Sequence, residues 1–462
     1  MLDKAKEVLA SGKSVIILMP SLEAIGSVKD RVKETLNVPV FLLDKKLTPK
    51  KELEIWFEIQ QGIPCVALGT LSAVFAPMPQ LGSIVICEEE NTVYKQEQSP
   101  FFRVHHIAQC RCEIENAMLV LTSAAPSVET YKQAQDKQWE IVSFFPKEYS
   151  GFQLIDMSNY KSQRATFLSF PLQNMIYRSL EENKKIVLVM NRKGFTTTTR
   201  CSCGHTMRCQ RCDVNMIYMY AKQKLVCRHC GKEEELPKMC AACKTSYLHS
   251  SGGGIEKLES EVARFYPQAR VARYDRDTPR FPKDAQIIIS TQAITKMQDQ
   301  MIFDIVALLD FDAQLNRFDF RCANKVFSLL VVLRQMAKEK LLVQTSMRDS
   351  YLLKYLDAMD FKGFYKKELS LRKELGFPPS QHLLSIVVRG EKEEIAFQQV
   401  KELCDILQAQ DIKKVEISDP HPDIVPKLRD KYRFTIVLKS RSAKENLTLA
   451  RKALSDFKKR KG

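Results

Sequence analysis

Short apolar, β-branched runs recur along the chain. They fall at Val15–Met19, Val38–Leu43, Val66–Leu68, Ile84–Cys87 and Met118–Thr122, then at Ile186–Met190, Ile287–Ser290, Ile305–Asp310 and Leu341–Gln344. Helix-length stretches separate most of them, and in Leu22–Leu36 and Lys51–Gln61 apolar residues return with a period near 3.6. Runs that stay apolar suit strands buried on both faces, and strand–helix alternation builds parallel sheets covered by helices. The alternation comes in two blocks, 1–150 and about 151–365. Segment 200–250 interrupts the second block after Ile186–Met190, and the pattern resumes near Gly254, so the segment reads as an insertion. From about 366 the pattern changes. A turn at Leu375–Pro379 leads to a strand (Leu383–Val388), a helix (Glu393–Gln408), a strand (Lys414–Ser418), a turn (Asp419–Pro422), a strand (Phe434–Lys439) and a last helix. That is a small α+β domain.

Composition narrows the class. The 462 residues are 45% hydrophobic and 27% charged, which excludes a largely disordered chain. No apolar run approaches the ~20 residues needed to cross a bilayer. The first residues are charged and lack the apolar core of a signal peptide, so an intracellular, cytoplasmic protein is expected. The net charge of +16 points to an anionic partner, nucleic acid before membrane. It is uneven: residues 426–462 carry thirteen Lys and Arg against three Asp and Glu, a net +10. A solvated tail with no partner would look the same.

Eight of the fourteen cysteines lie between Cys201 and Cys243. They form four pairs: Cys201 with Cys203, Cys209 with Cys212, Cys227 with Cys230, and Cys240 with Cys243. A C-x-x-C turn places two thiolates on one side, and two such turns complete a tetrahedral site of four thiolates. Four pairs therefore predict two structural zinc ions. The metal would hold a segment too poor in apolar residues to fold on its own core. Sets of four cysteines also hold iron–sulfur clusters, but repeated short pairs fit zinc better. Cys201 and Cys203 are separated by one residue rather than two, so either both are ligands or His205 replaces one of them. Spacing alone allows nested, sequential or crossed pairing.

The same region carries a resemblance. The cysteine pairs, Asn191-Arg-Lys-Gly-Phe195 before them and Arg273-Tyr-Asp-Arg-Asp-Thr278 after them resemble the bacterial replication-restart helicase family PriA, or primosomal protein N′. Gly69-Thr-Leu-Ser-Ala-Val-Phe-Ala-Pro77, Tyr94-Lys-Gln-Glu97 and Ser123-Ala-Ala-Pro-Ser127 are similar to its first lobe. Ser290-Thr-Gln292, Asp319-Phe-Arg321, Gln344-Thr345 and Leu375-Gly-Phe-Pro-Pro379 are similar to its second lobe and the segment just beyond. Asp419-Pro-His-Pro422 with Tyr432-Arg433 resembles its C-terminal domain. The resemblance implies an α/β fold of two RecA-like helicase-type lobes with parallel sheets. Lobe 1 would span 1–150 and lobe 2 would span 151–199 and 251–365. A double-zinc insertion (200–250) and a basic α+β C-terminal domain (366–462) complete the expected layout. It also implies nested zinc pairing: Cys209, Cys212, Cys227 and Cys230 inside, Cys201, Cys203, Cys240 and Cys243 outside.

Departures from the family point away from ATP hydrolysis. A phosphate-binding loop needs its Gly-rich turn after a strand, and Ser11-Gly-Lys-Ser14 lacks the upstream Gly and precedes one. The chain starts about where the family's loop has already ended. The family's Asp-Glu-Glu-His reads Cys87-Glu-Glu-Glu90 here, so the Mg²⁺-binding Asp is lost while Glu88 keeps the place of a water-orienting base. The arginine motif of the second lobe is replaced by Leu333-Arg-Gln-Met-Ala-Lys-Glu339, and Leu71 stands where the first lobe keeps an Arg. The resemblance thus implies a degenerate relative that binds forked or single-stranded DNA at stalled forks. Its partners would be other primosome or replication-restart proteins and single-stranded DNA-binding protein, with no ATPase or helicase activity and no membrane. Two other readings stay open: an active 3′–5′ helicase whose start lies upstream, and a zinc-scaffolded interaction module without DNA. Candidate DNA contacts are Lys427, Arg429, Lys431 and Arg433, which alternate on a strand-like stretch and so should share one face, with Tyr432 opposite. Near the cysteines the basic residues are Arg192, Lys193, Arg200, Arg208, Arg211, Lys222, Lys224 and Arg228, with Tyr218 and Tyr220 as stacking candidates.

Overall fold

The computed structural model describes residues 2–459, apart from 45–46, 97, 138, 145–148, 159–166, 191–196, 202, 204, 206, 213–215, 220–223, 228–229, 238, 246–247, 252–253, 276–277, 279, 299, 318 and 411–413; for 197–201, 217–219 and 248–251 it describes the backbone only. The chain forms two compact units, Met1–Tyr131 and Lys132–Gly462.

The first unit holds α1 (Leu2–Ala10), β1 (Ser14–Leu18), α2 (Leu22–Leu36), β2 (Val40–Leu43), α3 (Pro49–Gln60), β3 (Val66–Gly69), β4 (Leu81–Cys87), α4 (Val104–Glu115) and β5 (Met118–Thr122). The sheet runs β2-β3-β1-β4-β5, every pair parallel. Every residue of β1 is buried, because β1 is flanked on both edges and covered on both faces. Val15 and Ile17 point to one cluster, Ile16 and Leu18 to the other. Each such side chain contributes roughly 1.5–3 kcal/mol of gross burial. Ser21 caps α2 by accepting from the Ala24 amide, and Asn37 ends it in the left-handed region at φ 48°. Ser11-Gly-Lys-Ser14 is the turn leading into β1, on the wrong side of the strand for a phosphate loop.

The second unit carries β6 (Gly151–Asp156), α5 (Phe170–Glu181), β7 (Ile186–Val189), the insertion, α6 (Ile255–Phe265), β13 (Val271–Tyr274), β14 (Ile287–Ser290), β15 (Phe303–Leu308), α7 (Cys322–Met336), β16 (Ala337–Thr345), α8 (Tyr351–Asp357) and α9 (Phe361–Glu374). Its parallel sheet is ordered β13-β14-β7-β15-β16-β6. The insertion is an antiparallel sheet of β8 (Thr197–Cys201), β9 (Ile217–Met219), β10 (Lys224–Val226), β11 (Glu233–Glu235) and β12 (Leu248–Ser251), ordered β11-β10-β9-β8-β12. Its first and last strands pair, Thr198 opposite Ser251 and Cys201 opposite Leu248, so the insertion leaves and rejoins the lobe at one place.

The C-terminal domain holds β17 (His382–Gly390), α10 (Glu393–Gln408), β18 (Glu416–Ile417), β19 (His421–Leu428), β20 (Lys431–Ser440) and α11 (Ala443–Lys459). β20 pairs antiparallel with β17, β18 and β19. Two parallel-sheet α/β lobes, a Cys-rich insertion in the second and an α+β terminal domain match the expected fold class. Two local expectations fail. His421–Leu428 is a strand where only a turn at Asp419–Pro422 was expected. The stretch 427–433 is not one strand: Arg429 and Asp430, at φ 51° and 65°, form a two-residue hairpin turn between β19 and β20. Lys427, Arg429, Lys431 and Arg433 therefore do not share a face of a single strand.

Candidate metal centre and its surroundings

The insertion has little apolar matter to fold on. Its described core is Cys209, Cys212, Met216, Leu225 and Cys227, with Met207, Cys230, Leu236 and Leu428 packed against it. The knuckles are shaped by backbone bonds. The Gly231 amide donates to the Cys227 carbonyl, and Gly231 takes φ 75° at no side-chain cost. At the other knuckle the Lys244 amide donates to the Cys240 carbonyl, and Lys244 takes φ 60°.

These turns aim sulfur atoms inward. The Sγ atoms of Cys209, Cys212, Cys227 and Cys230 all lie within 4.8 Å of one another, and so do those of Cys203, Cys240 and Cys243. The Cys209–Cys230 separation is 3.7 Å and the Cys203–Cys240 separation 3.8 Å. A tetrahedral ion with bonds of about 2.3 Å has sulfur–sulfur edges of about 3.8 Å, so both sets fit zinc. The Cys201 side chain lies outside the described residues. His205, the alternative ligand, is described and belongs to neither group.

Burial favours the neutral thiol at Cys209 and Cys212 of the inner set. Burial pushes Cys212 up to about 12. At Cys230 burial acts in the same sense, but the Lys232 amide and the neighbouring thiols outweigh it and hold the group down to about 7. The ligand sulfurs accept amide bonds: Cys209 from Arg211 and Cys212, Cys230 from Lys232. Cys212 accepts from the Arg429 amide, which sits in the C-terminal domain.

The hairpin tip reaches the insertion through its side chains too. The Lys427 amine donates to the Gln210 carbonyl at 2.9 Å and lies 4.9 Å over the Tyr432 ring. Arg433 is paired with Asp423 at 3.0 Å and is half-buried. Of the four candidate DNA contacts, only Arg429 and Lys431 are exposed. The solvent face of α11 presents Lys444, Arg451, Lys452, Lys458 and Lys459, a basic row that becomes visible only once the helix is in place. Near the cysteines Arg211 is paired with Asp430, and Lys224 lies 3.9 Å from Glu233. Arg208 is exposed. Arg192, Lys193, Lys222, Arg228 and Tyr220, with the side chains of Arg200 and Tyr218, lie outside the described residues.

The positions at which the sequence reads as departing from PriA-like phosphoryl-transfer motifs are buried. Leu71 and Cys87 are buried at 8% exposure. Beside Cys87, the Tyr94 hydroxyl bonds the Leu18 and Cys87 carbonyls at 3.1 and 2.7 Å, tying the ends of β1 and β4. Glu89, 3% exposed, accepts from the Ser127 amide and from the hydroxyls of Ser127 and Thr130, and lies 3.2 Å from His105. Arg334 is buried and donates to the carbonyls of Leu356, Asp357 and Ser150.

The chain thus has two parallel-sheet α/β lobes, a Cys-rich insertion whose cysteines gather in two metal-competent groups, and a basic C-terminal domain. Residues 209–234 match the family model described as the PriA DNA helicase Cys-rich region domain, and residues 373–462 match the primosomal protein N C-terminal domain. The chain is 28% identical to the replication restart protein PriA of Bacillus subtilis over 99% of its length and 60% of that protein's. It is also 28% identical to PriA of Haemophilus influenzae, over 98% of this chain and 64% of that one. The resemblance to PriA therefore runs along nearly the whole chain, which spans somewhat over half the length of these relatives. A solved structure of RecG bound to a three-way DNA junction overlaps 78% of this chain and 40% of its own, at 10% identity and a TM-score of 0.40. Among the described residues no helix is long and apolar enough to cross a membrane.

Proposed function

We propose that this chain is a PriA-like replication-restart protein that binds forked or single-stranded DNA, holds two zinc ions and does not hydrolyse ATP. The observation that carries the last clause is the fate of the motor positions. The Mg²⁺-binding Asp is replaced by the buried Cys87, Leu71 packs in the core of the first unit, and Arg334 is spent on three backbone carbonyls. Removing the arginine finger alone costs about 10³–10⁵ in rate in phosphoryl-transfer enzymes. These residues lie inside the chain, so the reading does not depend on where it starts. A steady-state assay with saturating forked DNA should show no DNA-stimulated turnover. Turnover of about 1–100 s⁻¹ would overturn it.

Zinc at both cysteine sets is supported by the sulfur spacings, with Cys201 completing the outer set. Elemental analysis should find two zinc ions per chain; one or none would sink the two-site reading. DNA contact is supported by exposed basic residues at the hairpin and along α11. Phosphate neutralisation releases counterions, so each contact adds about −0.7 to −0.9 to the log–log salt slope. In anisotropy titrations across salt, Arg429→Ala with Lys431→Ala should flatten that slope by about 1.4–1.8. An unchanged slope would move the site to α11 or the insertion. Other primosome proteins and single-stranded DNA-binding protein are the partners this reading implies.

A further inference from the structure

We infer that the β19–β20 hairpin tip of the C-terminal domain is a working part of the inner metal site, so that metal binding and hairpin docking stabilise each other. The inference rests on the zinc reading of Cys209, Cys212, Cys227 and Cys230. Cys209 and Cys230 take their amide bonds from residues two or three positions along the same insertion, whereas Cys212 takes one from Arg429, more than two hundred positions away. The turn is clamped in place to make that bond. Asp430 donates its amide to the Arg211 carbonyl at 2.9 Å, and its carboxylate pairs with the Arg211 guanidinium at 2.7 Å. The Lys427 amine holds the Gln210 carbonyl, and Leu428 packs against the cysteine cluster. Residues 210 and 211 lie between the ligands Cys209 and Cys212, so the hairpin grips the knuckle itself.

An amide aimed at a thiolate stabilises the negative charge that the metal needs, and holds the sulfur in its bonding direction. Removing groups that hydrogen-bond metal ligands typically weakens metal affinity by about 10–100-fold. By linkage the metal must stabilise the docked hairpin by the same factor. Arg429, in the turn, and Lys431, the first residue of β20, would then be held in place more firmly when the inner site is loaded. The outer cysteines Cys203, Cys240 and Cys243 form a separate group and serve as the internal control.

The test uses the full chain and the double variant Leu428→Ala, Asp430→Gly. Both changes remove grip without removing the turn, since Gly is well suited to the second position of a two-residue hairpin. Zinc content is measured first, then zinc release to an excess of a chromophoric chelator. Inner-site release should be about tenfold faster in the variant, with outer-site release within twofold of wild type. In the unchanged protein, stripping the metal should speed hydrogen exchange of the Arg429 and Asp430 amides at least tenfold. Zinc present at wild-type content, with release unchanged within twofold and exchange unaffected by the metal, overturns this inference and leaves the zinc reading standing. A wild-type protein purified without zinc overturns both.

Discussion

Replacing Arg334 by alanine tests whether this buried arginine acts as a structural clamp. Its Nη1 donates to the carbonyls of Leu356 and Asp357 at the C-terminal end of α8, and its Nε to Ser150 at 3.0 Å. Ser150 returns the contact, its hydroxyl donating to the Arg334 carbonyl at 2.9 Å. The guanidinium lies 5.7 Å from the Tyr149 ring and 5.8 Å from that of Phe152. Burial pushes its proton affinity down, but an arginine stays charged in any accessible pH range. Three bonds from a charged donor are worth about 1.5–3 kcal/mol each. The several kcal/mol spent on desolvating the guanidinium offset much of that sum, and water entering the vacated space re-pairs some carbonyls. A net loss of about 2–4 kcal/mol remains once these offsets are taken. For a unit of this size that lowers Tm by roughly 3–6 °C. Arg334→Lys should recover less than half, because one ammonium cannot reach all three carbonyls. Differential scanning calorimetry of the three proteins decides it. A shift below about 1 °C for Arg334→Ala would refute the clamp. So would a wild-type ATPase abolished by the change at constant Tm, which would make Arg334 a motor residue after all.

Four more substitutions have outcomes set by the geometry. In Gly69→Ala an added Cβ would collide with the Leu43 carbonyl and sit 2.5 Å from the Ala73 side chain, so urea unfolding should show about 1–3 kcal/mol lost; an unchanged midpoint would mean the β2–β3 edge gives way freely. Tyr94→Phe removes the hydroxyl joining β1 to β4 and should lose about 1–2 kcal/mol near neutral pH. Burial raises the Tyr94 phenol, so folding favours its neutral form; that stability is complete below about pH 10, where a free phenol starts to ionise, and is lost above it. Alkaline destabilisation should therefore be weaker in the Phe variant, and parallel curves for the two proteins would contradict the burial argument. Arg433→Ala should reduce Tm while Lys431→Ala leaves it unchanged, because Arg433 is paired with Asp423 and half-buried whereas Lys431 is exposed; equal effects would mean the pair is not holding β19.

Much of the fold was legible because the deciding information was local. Ser14–Leu18 reads as a fully buried strand because nearly every residue is apolar, and it occupies the middle of its sheet. Leu22–Leu36 reads as a helix from its period, with Ser21 and Asn37 as its caps. The cysteine knuckles were legible because a C-x-x-C turn sets its own geometry within four residues. The terminal hairpin was not. Pro422 and Pro426 argue against a strand, yet β19 is one, and an edge strand tolerates missing donors on its open side. Its turn is Arg429-Asp430, without the glycine that marks such turns, and it is held by Arg211 and Gln210, about two hundred positions distant. The same distance hid the Arg429 amide from Cys212. Sequence singled out Cys87 and the stretch Leu333–Glu339 as departures from the PriA-like pattern. Only packing could show what the residues there do instead, because whether Arg334 faces a phosphate or three carbonyls depends on where α8 and Ser150 come to lie, and no spacing along the chain encodes that.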